Sequence, residues 1–187
     1  MQIKDIIKIA ALMINRKEII DYIDEINSDK IGVETPSLVE NMIGLSNLVI
    51  NELATTYIPM VKTKKVNSEK GRIYYSNLGD KVLKIRSVYL DDGKSLDFTL
   101  MPEYILINHA TVYVEYEYSP PTYLIEQEIG FTEKDVPARV LAYGLLSELA
   151  ISEGRFDDAV AFHKRYVNSI ELLCVPKNSM IKQRSWA

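Results

Sequence analysis

The apolar residues recur at helical spacing at both ends of the chain and at strand spacing in its middle. Over residues 1–58 they repeat every three or four positions, which predicts two helices separated by the loop "NSDKIG". The second helix opens at "TPSLVE", and Pro59 ends it. Either Thr35 caps this helix with Pro36 in its first position, or Ser37 and Glu40 form a capping box. The predicted buried positions are Ile3, Ile6, Ile7, Ala10, Met13, Ile14, Ile20, Ile23 and Ile26 in the first helix, and Leu38, Met42, Leu45, Val49 and Leu53 in the second.

From residue 59 to residue 121 the period changes to two. Short runs such as "KVLKIRSVYL" and "TVYVEYEY" alternate with turn segments, which is typical of a small antiparallel sheet or sandwich. The segment "LDDGKS" predicts a tight hairpin turn at Asp92 and Gly93, because glycine adopts a positive φ without strain. In the last run the residues alternate between two faces: Val112, Val114, Tyr116 and Tyr118 are predicted to face the core, and Tyr113, Glu115 and Glu117 to face outward.

A helical period returns after Pro120 and Pro121. The segment "VPARVLAYGLLSELAISEG" is apolar on nearly every side, which predicts a central helix that is covered all round. Gly154 is a candidate left-handed C-cap, and Asp157 or Asp158 lies in the first turn of the next helix, at the positive end of its dipole. The predicted buried face of this last helix is Phe156, Ala159, Val160, His163, Tyr166, Val167, Ile170 and Leu173.

Together these patterns predict an α+β fold with a helical core. Residues 1–58 supply its two N-terminal helices and residues 122–176 its C-terminal helical hairpin. Residues 59–121 form an inserted antiparallel β module, and residues 177–187 an extended C-terminal tail.

Composition narrows the possible functions. The chain of 187 residues has a net charge of −4, which disfavours a general binder of duplex DNA, because such proteins need a basic face. Cys174 is the only cysteine, so no intrachain disulfide forms and a reducing compartment is expected. No apolar run reaches the roughly 18 residues of a membrane span, so we expect no membrane partner.

Glu115 and Glu117 are the strongest catalytic candidates. They lie on one face of a strand, about 6–7 Å apart, and a glycosidase pair needs roughly 5–9 Å. Catalytic carboxylates normally flank a cleft from different elements, however. The preferred interpretation is a solvated face on which the glutamates meet Lys84 and Arg86 of a neighbouring strand.

Other chemical motifs are weaker. Gly-Lys-Ser in "DDGKS" lacks the upstream glycine of a phosphate-binding loop and is interpreted as a turn. His109 and His163 form no zinc pattern, and we interpret His163 as an interior histidine and Cys174 as a small buried hydrophobe. The lysines of "VKTKKV" (Lys62, Lys64 and Lys65) are interpreted as a solvated strand edge, although they could touch a phosphate. No pattern predicts a catalytic constellation, a cofactor or a metal.

The hairpin resembles the C-terminal hairpin of head–tail connector proteins, the neck adaptor or ring proteins of tailed bacteriophages, particularly of short-tailed phages. The resemblance lies in a "P-x-x-V-L-x-Y-G" helix, a short "x-G-x-[FY]-[DE]-x-A" turn and a second helix. The closing "QRSW", and the order of two helices and a β region ending in "VYVEYEYSPP", are similar too. The matching hairpin residues are Pro137, Val140, Leu141, Tyr143, Gly144, Gly154, Phe156, Asp157 and Ala159.

The resemblance implies a structural virion protein without enzymatic activity, made in the bacterial cytoplasm and placed in the neck between portal and tail. Such proteins usually form a ring of twelve copies under the portal and bind the portal protein, other neck or tail proteins, and themselves. Genome DNA passes through the ring without specific binding. The resemblance makes the tail an arm that contacts the portal or a neighbouring subunit, through Met180, Ile181, Arg184 and Trp186. The alternatives are a small hydrolase using Glu115 or Glu117, and a regulatory protein-binding module whose β region is the ligand surface.

Overall fold

The computed structural model describes residues 1–24, 34–131 and 136–174. It has a mixed α+β fold, with helices towards both ends of the chain and two small antiparallel sheets between them, so the predicted fold class is confirmed. Residues 1–49 and the described residues from Tyr123 onward belong to a helical unit. Residues 50–122 form a second unit, which contains both sheets.

The N-terminal segment is two helices rather than one. Helix α1 spans Ile3–Met13 and helix α2 spans Lys17–Ile23. Between them Asn15 has a φ of 56°, a left-handed conformation that breaks the helix and that asparagine tolerates better than most residues. The prediction of a single helix was therefore wrong, because the isoleucine period continues across a break that one asparagine makes. Ile26 lies outside the described residues.

Helix α3 spans Thr35–Glu52, and a π-helical turn over Leu53–Tyr57 precedes Pro59. Because the helix already begins at Thr35, Pro36 lies in its first turn, where no backbone N–H is needed for the helix. Met42 and Val49, and Leu53 of the following turn, are buried as predicted, whereas Leu38 and Leu45 are only half-buried; Val39, Ser46 and Ile50 are buried in addition.

The C-terminal hairpin consists of helix α4, Ala138–Ser152, and helix α5, Phe156–Cys174. Most side chains of α4 are buried, so its predicted central position is confirmed. Gly154 has a φ of 73° at the end of α4, and Asp157 and Asp158 both lie in the first turn of α5, as predicted. Gly144 of α4 lies where Val49 of α3 and Tyr166 of α5 approach its backbone closely.

The first sheet has the strand order β1-β6-β3, formed by β1 (Val61–Asn67), β6 (Thr111–Ser119) and β3 (Lys81–Tyr89). The second has the order β2-β5-β4, formed by β2 (Arg72–Tyr74), β5 (Tyr104–Leu106) and β4 (Thr99–Leu100). All neighbouring strands are antiparallel. In the predicted turn Gly93 has a φ of 82° and its N–H donates to the Leu90 carbonyl at 2.9 Å, so that turn is confirmed.

The two outer strands of the first sheet have different kinds of edge. Strand β1 pairs with β6 in continuous register and carries the three predicted edge lysines. Strand β3 pairs with β6 through two register shifts, between Val82 and Lys84 and between Ile85 and Ser87. Such irregularities bend a strand and interrupt its hydrogen-bonding edge.

The inner face of β6 lies in the core of the β unit. Val112, Val114 and Tyr116 are buried and Tyr118 packs against them, which confirms the predicted alternation. The Tyr116 hydroxyl donates to Asp80 Oδ2 at 2.6 Å, and Lys62 Nζ lies 3.0 Å from the same oxygen. Partial burial raises the pKa of Asp80, but these two hydrogen bonds outweigh it and the pKa falls below its usual value. Burial and the neighbouring carboxylate raise the pKa of Tyr116, so its hydroxyl stays protonated.

Candidate functional site

The two glutamates of β6 lie on the outer face of the first sheet and bind neighbouring side chains. Arg86 Nε donates to Glu117 Oε1 at 2.9 Å, and the Ser87 hydroxyl donates to Glu115 Oε2 at 3.0 Å. The interpretation as a solvated face is thus confirmed for Arg86, whereas Lys84 contacts neither carboxylate through a described ion pair.

Tyrosines and lysines complete this outer face. The rings of Tyr89 and Tyr113 stack with centroids 5.5 Å apart, and Lys65 Nζ lies 5.1 Å from the Tyr113 centroid. The Tyr113 hydroxyl donates to Asp91 at 2.8 Å. The carboxylates of β6, the Tyr113 hydroxyl and the Lys65 ammonium therefore already contact neighbouring side chains.

The three lysines of β1 are bound within the β unit. Lys62 pairs with Asp80, and Lys64 Nζ donates to the carbonyls of Asn77 and Leu78 at 3.0 and 2.9 Å. The position of β1 at the outside of its sheet confirms the predicted strand edge.

His163 and Cys174 are both exposed, so their predicted burial was wrong. The cause is the same for both, since they lie on a side of α5 that no described residue covers. Within residues 1–24, 34–131 and 136–174, no group of three or more histidine, cysteine or acidic side chains could hold a metal ion. The four predicted contact residues of the tail, Met180, Ile181, Arg184 and Trp186, lie outside the described residues.

Helix α5 exposes apolar side chains that its sequence pattern assigns to a buried face. Ala159, Tyr166 and Ile170 are buried as predicted, but Phe156 is 68% exposed and Val160 is 70% exposed. The two residues are four positions apart and therefore lie on one side of the helix, with His163 and half-buried Val167 continuing the same side. We call this side the apolar flank of α5: Phe156, Val160, His163 and Val167.

The other side of α5 contributes to a pocket of about 290 Å³ in the helical unit. Arg139 and Tyr143 of α4 and Arg165 of α5 contribute its polar wall. Arg139 Nε donates to the Tyr143 hydroxyl at 2.8 Å, and the Cζ atoms of Arg139 and Arg165 lie 5.5 and 5.8 Å from the Tyr143 ring centroid. The remaining lining residues are Met13, Asp158, Ala161 and Phe162. We call this cavity the two-arginine pocket.

Neither Arg139 nor Arg165 was predicted from the sequence to form a site. The available signal was Arg139 and Tyr143 at positions i and i+4 of an otherwise apolar helix, where the two side chains meet. The contribution of Arg165 depends on how α5 packs against α4, which the spacing within either helix does not contain.

A further cleft of about 550 Å³ lies in the β unit, beside β3 and the segment from Leu100 to Pro102. Asp80 lines it, but its carboxylate is already bound by Tyr116 and Lys62. The other lining side chains are mostly aliphatic or lysine.

No family model matches the sequence, and no curated protein matches it. Any assignment of function therefore rests on the chain's own residues. In the described part of the chain, no helix is both long and apolar enough to cross a lipid bilayer.

Proposed function

We propose that this chain is a structural virion protein of a tailed bacteriophage, a head–tail adaptor subunit that docks under the portal as a ring and joins the filled head to the tail. Its location is then the virion neck, and its partners are the portal protein, the tail-side neck proteins and further copies of itself. Support comes from the connector-like order of sequence motifs in the hairpin and from the exposed apolar flank of α5.

The apolar flank is the observation that carries the proposal. Full burial of a phenylalanine or valine side chain is worth about 1.5–3 kcal/mol, and this flank leaves both Phe156 and Val160 more than two-thirds exposed. Exposed apolar side chains grouped on one face are typical of protein interaction sites. In a ring each copy meets two neighbours, so one such flank per copy is repeated at every interface.

The hydrolase alternative has no supporting observation among the described residues. Glu115 and Glu117 lie on an outer sheet face, are held by Ser87 and Arg86, and line neither the two-arginine pocket nor the cleft beside β3.

The test is assembly with the portal protein encoded by the same genome. We expect the wild-type chain to co-sediment with portal and to form rings in electron micrographs. The double variant Phe156→Ser, Val160→Ser should lose assembly while its thermal unfolding stays close to wild type, because both side chains are already exposed in the single subunit. Leu100→Ser, at a leucine that is 54% exposed in the β unit, is the matched control and should assemble normally.

Failure of the wild-type chain to form rings or bind portal would refute the proposal. Its gene should also lie directly after those for the portal and the major capsid protein, and a gene position remote from head genes would count against it.

A further inference from the structure

We infer that the two-arginine pocket binds a carboxylate side chain from the apolar flank side of α5 in a neighbouring copy of this chain. The inference rests on the proposed ring, and it names the contact that orients one copy against the next. Two features support it: the positive charge of the pocket, and an exposed acidic side chain on another side of α5.

Among the described residues, the two cations of the pocket have no carboxylate partner. Neither Arg139 nor Arg165 forms an ion pair with any described residue, and both guanidinium groups lie within 6 Å of the Tyr143 centroid. Two like charges held against one ring repel each other, so an anion placed between them gains from both. A guanidinium also matches the planar geometry of a carboxylate.

Asp158 does not neutralise the pair, although it lines the pocket. Its Oδ2 atom lies 2.6 Å from Arg155 Nη1, and Arg155 also binds Glu153, at 2.7 Å from Nη2. The charge of Asp158 is therefore already shared with a third arginine. As far as residues 1–24, 34–131 and 136–174 show, Arg139 and Arg165 therefore remain available to bind an anion.

The shape and surroundings favour a single carboxylate side chain over the backbone of a nucleic acid. Met13, Ala161 and Phe162 give the pocket an apolar wall against which the methylene groups of an acidic side chain can pack. Duplex DNA requires a row of cations, whereas two guanidiniums suffice for one carboxylate.

The complementary acidic group lies on another side of the same helix. At 3.6 residues per turn, Val160 and Arg165 are about 140° apart around the axis of α5. Glu171 lies on the Val160 side, is exposed, and forms no ion pair within the described residues. A helix with cations on one side and apolar residues and an acid on another can pair head-to-tail with copies of itself, and a head-to-tail contact is what closes a ring.

The experiment compares three variants of the full chain in assembly on portal, measured by sedimentation. Arg139→Gln with Arg165→Gln removes the cations, and Glu171→Gln removes the acid. Both variants should weaken assembly by about tenfold or more, as loss of one partner of an interfacial charge pair does. Arg86→Gln is the control, because that arginine is paired with Glu117 in the β unit and does not line the pocket, and it should assemble as the wild type does.

A second measurement uses glutarate as a probe and follows the arginine Nε–H resonances by NMR. Glutarate should shift those of Arg139 and Arg165 in the wild type and in the acid-removed variant, whose pocket is intact. It should shift nothing in the chain that lacks both arginines. A short DNA duplex should not shift them more strongly than glutarate does.

Several results would overturn the inference while leaving the adaptor function standing. These are normal assembly of the chain lacking both arginines or of the chain lacking the acid, absence of glutarate shifts in the wild type, or stronger shifts with DNA. If the wild type does not assemble on portal at all, the adaptor function fails as well. Glutarate binding would then mark an anion site that serves some ligand other than a second copy.

Discussion

Substitution of Gly144 tests whether the helical unit is packed as tightly as the structure shows. A Cβ atom at Gly144 would lie 2.6 Å from Cγ1 of Val49 and 3.1 Å from Cε2 of Tyr166. Favourable carbon–carbon contacts lie at about 3.5–4.0 Å, so the methyl group of alanine overlaps both neighbours. Val49 and Tyr166 are only 2% and 1% exposed, and the β-branched valine has one favourable rotamer in a helix.

Two effects of opposite sign set the magnitude for Gly144→Ala. Alanine is favoured over glycine in a helix interior by about 1 kcal/mol. Overpacking a buried site costs about 1–3 kcal/mol. We therefore expect Gly144→Ala to lower the free energy of unfolding by roughly 1 kcal/mol, which lowers Tm by about 2–4 °C in a chain of this length.

Gly44 in α3 supplies the matched control. A Cβ atom there meets nothing within 4 Å, so Gly44→Ala should raise the free energy of unfolding by up to about 1 kcal/mol. The difference between the two variants then measures overpacking alone. Urea unfolding followed by circular dichroism gives both values, and the double variant Val49→Ala, Gly144→Ala tests the cause.

In the Val49→Ala background the colliding γ-methyl is absent, so Gly144→Ala should become neutral or stabilising. The reasoning is refuted if Gly144→Ala is as stable as Gly44→Ala, or if its effect does not depend on Val49.

Other predictions concern the β unit and the hairpin turn. Tyr116→Phe removes the hydrogen bond to Asp80 and should lower the free energy of unfolding by about 1–2 kcal/mol in urea titrations; an unchanged value would contradict the network. Because the folded pKa of Asp80 lies below its ordinary value of 3.8, its stabilising effect is present above that pH and lost as the pH falls through the folded pKa. Asp80→Asn should therefore flatten the acid limb of the stability–pH curve, and an unaltered limb would exclude this role. Gly154→Ala should cost about 1 kcal/mol in thermal unfolding, since its φ of 73° strains any residue with a Cβ atom, and no loss would show that the turn rearranges.

The sequence predicts best those elements whose pattern has one interpretation. Helix α4 is apolar all round, and such a helix is stable in water only when it is buried on all sides. The alternation of β6 fixes which side chains face the core, and pairing with β3 brings Arg86 to Glu117.

Where the prediction failed, one pattern allowed two structures. The apolar positions of α5 span two adjoining sides, and periodicity cannot tell which side this chain covers and which it leaves exposed. Asn15 ends α1 through a single left-handed residue within an unbroken isoleucine period. The Arg165 side of the two-arginine pocket depends on tertiary packing between helices, which no local spacing encodes.

The different edges of β1 and β3 would affect how neighbouring copies of the chain pack against each other. In the proposed ring, identical sheets would lie near one another at an effective concentration that can reach the millimolar range, where bare strand edges readily join. The lysines of β1 would repel a second β1, and the register shifts of β3 interrupt the straight row of hydrogen-bonding groups that an incoming strand needs. Both edges would thereby disfavour strand-to-strand pairing between adjacent copies and leave contact to the helices.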